Sequence, residues 1–209
     1  ALAANTTASY NTAHGYRALY GNTTGDHNVG MGYQALHTNT VGDRSVAIGG
    51  NALRLQNPAS NTDMYNVAIG YDAGQSVTTG TFNTLIGGLA GDALTTASYN
   101  VALGYLALST ETAGQESVAI GSQALASQNV GSGAVYNTAV GTSAGRLLTT
   151  GIKNTFLGGL AGDATTDADE NIAIGYDSLG GNTVGSASVA VGSSALRTQN
   201  PSSATNMFN

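Results

Sequence analysis

Few side chains in this chain could do chemistry. Four carboxylates, Asp163, Asp167, Asp169 and Glu170, stand within eight residues. Calcium needs several oxygen ligands converging on one point. An acidic turn held in water explains the same run, and is the reading taken. His14, His27 and His37 are the only histidines. A hydrolase needs a nucleophile, a base and a group that orients the base. Serines abound, but no such set recurs at usable spacing. Glycoside cleavage needs paired carboxylates, and the chain has three glutamates. The residues therefore point to no enzyme, no metal site and no cofactor.

What must be positioned, then, is a surface rather than a reaction. The net charge is −6, only 9% of residues are charged, and Lys153 is the single lysine. Nucleic-acid binding needs basic patches, which this composition does not offer. There is no cysteine, hence no disulfide framework or thiol site. No apolar run is long enough to span a bilayer. The chain opens and closes mid-repeat, so it reads as a piece of a longer fibre, with residues 1–209 forming one segment.

The organising feature is a repeat. Eleven times a small polar residue is followed by three mostly apolar residues and then glycine. The copies open at Asn11, Asn28, Ser45, Asn66, Asn83, Asn100, Ser117, Asn137, Asn154, Asn171 and Ser188, mostly 17 residues apart. A short fixed period means a solenoid, in which each coil buries its apolar face only by stacking on its neighbours. His14 stands where the other copies carry Met, Ile, Leu or Val, the place of an interior or end-coil residue rather than a ligand.

In Ser45-Val46-Ala47-Ile48-Gly49 the β-branched residues favour a strand. Alternate residues face opposite sides, so Val46 and Ile48 share one face and Ala47 takes the other. Neither face is polar. One side lines the lumen, and lateral packing against other chains is the economical cover for the second. Val46, Ile48, Val67, Ile69, Val118, Ile120 and Ile174 are accordingly expected in trimer or core packing. The unvarying closing glycine implies positive φ or a close approach at a corner. A second apolar stretch, as in Gln34-Ala35-Leu36, suggests a second strand. The opening Asn or Ser residues should stack into hydrogen-bonded ladders. Leu85 and Phe156 break the rule of a small third residue, and Gly88 and Gly159 offer a volume trade for them. The tyrosines that replace these glycines, Tyr16, Tyr33, Tyr71, Tyr105 and Tyr176, read as a packing ladder.

A four-coil unit is duplicated, and its serine-opened coils run to 21, 20 and 21 residues. The extra residues fall within Leu55–Tyr65, Ala126–Tyr136 and Thr198–Phe208. Insertions of this kind map to one face and often bind. They carry the receptor-binding candidates: Gln56, Asn57, Asn61, Tyr65, Gln128, Asn129, Tyr136, Gln199, Asn200 and Phe208. Tolerated insertion is the competing explanation.

Taken together, the phrases resemble the head repeat of trimeric autotransporter adhesins of the YadA-like type, as also found in bacteriophage tail fibres. Ser45-Val46-Ala47-Ile48-Gly49, Asn66-Val67-Ala68-Ile69-Gly70 and Ser117-Val118-Ala119-Ile120-Gly121 match its core motif. The resemblance implies a left-handed β-roll, packed side by side as a homotrimer, outside the cell on a bacterium or a virion. It implies adhesion to a host surface or matrix; the amides, hydroxyls and terminal aromatics of the three long segments, by themselves, suit polar surface ligands such as glycans. The expectation is an all-β β-solenoid of about eleven coils serving as a structural and adhesive fibre segment, without membrane insertion. The alternatives are a purely structural filament and, less favoured, a fibre-borne glycan depolymerase.

Overall fold

The computed structural model describes all residues, 1–209. It is an all-β solenoid of eleven stacked coils. Each phrase contributes one three-residue strand, from Thr12–His14 to Val189–Val191, and the eleven form a single parallel sheet in chain order. Pairing is in phase: Val46, Ala47 and Ile48 lie beside Val67, Ala68 and Ile69. Every coil position therefore becomes a column along the rod.

The columns settle which face of the strand is inside. Ala47, Ala68, Ala102, Ala119, Ala139 and Ala173 are fully buried. They meet the buried Leu19, Leu36, Leu53, Leu108, Leu125 and Leu179 of the opposite limb in one core. The lumen is thin, and a methyl group is what fits opposite leucine. The branched residues point the other way. Val46, Val67, Val118, Ile120 and Ile174 are half-buried, while Ile48 and Ile69 are exposed. The core is thus alanine and leucine, and these seven residues form its outer skin.

The opposite limb is not the second strand expected from Gln34-Ala35-Leu36. It is a run of turns, because two residues flanking each alanine are left-handed: Gln34 at φ 54° and Leu36 at φ 52°. Left-handed leucine costs about 1–2 kcal/mol. Complete burial and a bond to the next coil, as from Leu36 N to Ala52 O at 3.0 Å, offset that cost.

The large third residues find their room elsewhere than expected. Gly88 and Gly159 lie outside the lumen, where an added Cβ meets only Tyr105 at 3.7 Å or Tyr176 at 3.6 Å as its nearest side chain. Leu85 instead fills the space left where Gly74 and Gly91 replace the lumen leucine, and Phe156 does the same beside Gly145 and Gly162. A close-packed interior requires such compensation.

The three long segments return to the rod and pair with the coil before them. Thr62–Asp63 lies beside Gly42–Asp43, Gly133–Ala134 beside Gly114–Gln115, and Thr205–Asn206 beside Gly185–Ser186. Met64 and Val135 are their buried plugs.

Candidate functional site

The phrase-opening residues build a buried amide column. Asn28 Nδ2 donates to Gly42 O at 2.7 Å, and its Oδ1 accepts from Ser45 N at 2.9 Å. Asn83 repeats this with Ala97 O and with Asn100 N, at 2.8 and 3.1 Å. Serine is too short to continue the column, and a glutamine eleven residues further on completes it. Gln56 Nε2 donates to Ser45 Oγ at 3.0 Å, and Gln56 Oε1 accepts from Asn66 Nδ2 at 3.0 Å. Gln128 bridges Ser117 Oγ and Asn137 in the same way, at 3.0 and 2.9 Å. Gln199 bridges Ser188 Oγ and Asn209.

This corrects part of the receptor-binding set. Gln56 and Gln128 are fully buried. They hold the rod together across a change of coil length and cannot touch a ligand. Asn57, Asn129 and Asn200 are exposed, but each accepts a threonine hydroxyl, from Thr40, Thr112 and Thr183 at 2.7, 3.1 and 2.6 Å. Asn61 is exposed at a loop tip, and Tyr136 and Phe208 project at 54% and 80% exposure. Tyr65 stacks on Phe82, and Phe82 on Tyr99, with centroids 5.2 and 5.0 Å apart. These rings cover one another's faces and show their edges.

One partner of the column carried no warning in the sequence. Glu111 is completely buried. Its Oε1 accepts from the backbone N–H groups of Thr112, Ala113 and Gly114, and its Oε2 from Val130 N and Gln128 Nε2. Gln128→Leu therefore breaks the column at one point, taking a donor from Ser117 and Glu111 and an acceptor from Asn137. Unsatisfied buried polar groups cost about 1–3 kcal/mol each. We expect a loss of about 3 kcal/mol by thermal or chemical unfolding. A stability equal to wild type would remove Gln128 from the load of the column.

The acidic run disperses. Asp169 Oδ1 accepts from Ile152 N at 2.8 Å, Glu170 pairs with Lys153 at 3.3 Å, and Asp167 takes the Thr166 hydroxyl at 3.2 Å. No three His, Asp or Glu side chains are grouped to hold a metal ion. Burial, with Asp72 nearby, pushes the Asp92 carboxyl above the usual aspartate range. Burial does the same to Asp163, assisted by Asp177 and opposed by Arg146. His37 is lowered, chiefly by burial and then by Arg17 and Arg54. It stacks on Tyr20 at 5.4 Å. The tyrosine ladder is shorter than expected. Tyr16 and Tyr33 stack at 5.5 Å, whereas Tyr71, Tyr105 and Tyr176 have no aromatic neighbour and are 64%, 55% and 60% exposed.

The outer face of the sheet is left open. Along it stand Met31, Ile48, Ile69, Leu103, Leu157, Ile172, Val189 and Val191, all more than a third exposed. No protein-family model matches the chain, and no curated protein or solved structure does.

Proposed function

We propose that this chain is one strand of a trimeric extracellular fibre, a structural and adhesive segment that presents a recognition surface on a bacterium or a virion. The observation that carries the reading is the apolar outer sheet face. An apolar residue closes the strand in ten of the eleven coils, from Met31 to Val191, so the stripe runs along all of the rod but its first coil. A soluble monomer rarely exposes a contiguous apolar patch of that extent. Three identical rods turning this face inward would cover it without any further element. The near absence of charge in the strands suits such a seam, since each Val or Ile would meet a copy of itself or a close neighbour.

The test is mass and mutation. Light scattering on the purified chain should give three times 20.8 kDa. Ile69→Glu together with Ile120→Glu should dissociate or aggregate it, by placing six carboxylates in the seam. A well-folded monomer of the unaltered chain at micromolar concentration would sink the proposal.

A second reading has its own support. Gln56, Gln128 and Gln199, with Asn57, Asn129 and Asn200, are bonded into columns, which favours a purely structural filament whose insertions serve the rod. Shortening the three segments to 17-residue coils while keeping the phrases intact separates the two. Folding with loss of adhesion favours recognition at the loops. Folding with adhesion retained leaves the loops to the rod.

A further inference from the structure

The rod has one surface cleft, of about 330 Å³, on the limb opposite the apolar sheet face. Gly180 and Gly181 form its floor, with Asp163, Tyr176, Asp177 and Arg197 around it. Its origin is visible in the columns. The place of Gly180 is held by Asp163 one coil before and by Arg197 one coil after. No other coil has glycine both there and at the following position. The Asp177 carboxylate folds over Gly180, into the space a Cβ there would take, and pairs with Arg197; the cleft lies beside this pair, between Asp163 and Arg197, which lie two rungs apart, or about 10 Å.

We infer that this cleft binds one neutral or amino-bearing pyranose of a surface glycan. The inference rests on reading the chain as a recognition fibre, and it names where a sugar sits and which sugars fit. The volume is at the small end of ligand pockets, which span about 300–1,000 Å³, and suits one ring. The lining is mostly polar, with only two hydrophobic residues among eight. That excludes an apolar ligand and suits one rich in hydroxyls. Carboxylates accept from neighbouring hydroxyls, and a guanidinium donates to ring and hydroxyl oxygens. Tyr176 lies against Gly159, with Ser193 in the next coil. Unlike the mutually stacked Tyr16 and Tyr33, it has no aromatic partner, and its ring can take the C–H face of a sugar.

Charge narrows the class. Arg197 is ion-paired with Asp177. Asp163 has no ion pair. The charged groups facing it are Arg146, Asp177 and Arg197, and the first is a coil away on the far side from the gap. An anionic sugar would bring its carboxylate against Asp163, whereas an ammonium group on the ring would meet it favourably.

Saturation-transfer NMR on the whole assembly tests this, with methyl glycosides of glucose, galactose, N-acetylglucosamine, glucosamine and glucuronic acid. The expected result is transfer to the ring protons of at least one neutral or amino sugar and none to the glucuronide. Asp163→Ala and Tyr176→Ala should each weaken binding tenfold or more. Asp92→Ala, at the same place in the first four-coil unit, should leave it unchanged. Absence of transfer from every sugar, equal binding of the glucuronide, or indifference to both substitutions would overturn the inference. Adhesion of the same proteins to bacterial and mammalian cells separates the two levels. If wild type and both variants adhere equally, the cleft assignment falls and the fibre reading stands. If wild type adheres to nothing, the recognition role falls with it.

Discussion

Gly87→Ala should melt well below the wild-type chain, whereas Gly88→Ala, one residue along, should melt at the wild-type temperature. Gly87 closes a phrase at φ +134°, and a Cβ there would stand 2.6 Å from Gly104 O and 2.7 Å from its carbonyl carbon. Both are backbone atoms of the next coil and cannot swing aside. The strain of the φ value alone is about 1–3 kcal/mol. Pushing the next coil away also weakens the bond from Gly104 N to Ile86 O, 2.8 Å long, worth about 1 kcal/mol. A total of about 3 kcal/mol corresponds to on the order of 10 °C in a chain of this size. Gly70, at φ +140°, and Gly121, at φ +130°, face Gly87 O and Gly141 O in the same way, so their alanine variants should match Gly87→Ala. Calorimetry that found Gly87→Ala and Gly88→Ala alike would disprove the corner argument.

The second large effect is at Phe156, the bulkiest fully buried side chain. Its ring occupies a lumen position where the neighbouring coils carry Ala139 and Ala173. Phe156→Ala leaves a void that no leucine closes, and phenylalanine-to-alanine changes in cores cost about 3–5 kcal/mol. The flanking glycine predicts a rescue. A Cβ at Gly162 would meet only Phe156 atoms as its three nearest, from 2.5 Å. Gly162 sits at φ +59°, close to the φ of 48–53° that leucine adopts at this place in Leu53 and Leu108. Gly162→Leu alone should destabilise by overpacking, while the double variant should recover at least half of the Phe156→Ala loss. Unfolding measurements on the four proteins give the coupling directly. Additive losses would show that the two positions do not share the space.

How far the sequence could be read follows from what repeats in it. The period, the strand in Val46–Ile48, the asparagine column and the corner at Gly70 were all legible, because each rests on one residue type recurring at one place. The lumen side of the strand was not. Both Ala47 and its neighbours Val46 and Ile48 are apolar, and alternation says only that they part. Distance along the chain hid other pairings. Ser45 and Gln56 lie eleven residues apart, and only the closed coil brings them together. The recurrence of that spacing at Ser117 with Gln128 and at Ser188 with Gln199 was the available signal. For Phe156 the adjacent Gly159 drew attention, whereas its compensation comes from Gly145 in the preceding coil and Gly162 across the lumen. The turn limb departs from the strand its apolar run suggests, because leucine in a sequence gives no sign of left-handed backbone. The cleft beside Gly180 and Gly181 was not legible either, because glycine there admits the Asp177 carboxylate from three residues back, and that contact shows only once the coil is closed.

Strands cross the rod, so the bonds joining coil to coil lie along it. Pull on the two ends and every interface between coils bears the whole force, one after another, like links in a chain. Such a rod yields at its feeblest link, and adding coils does not make it tougher. The proposed seam on the outer sheet face would change that arithmetic. Three rods held together along their length would share the tension at each level, and a coil that parted in one would be bridged by its two companions. For the adhesive fibre proposed above, lateral company would matter more than length.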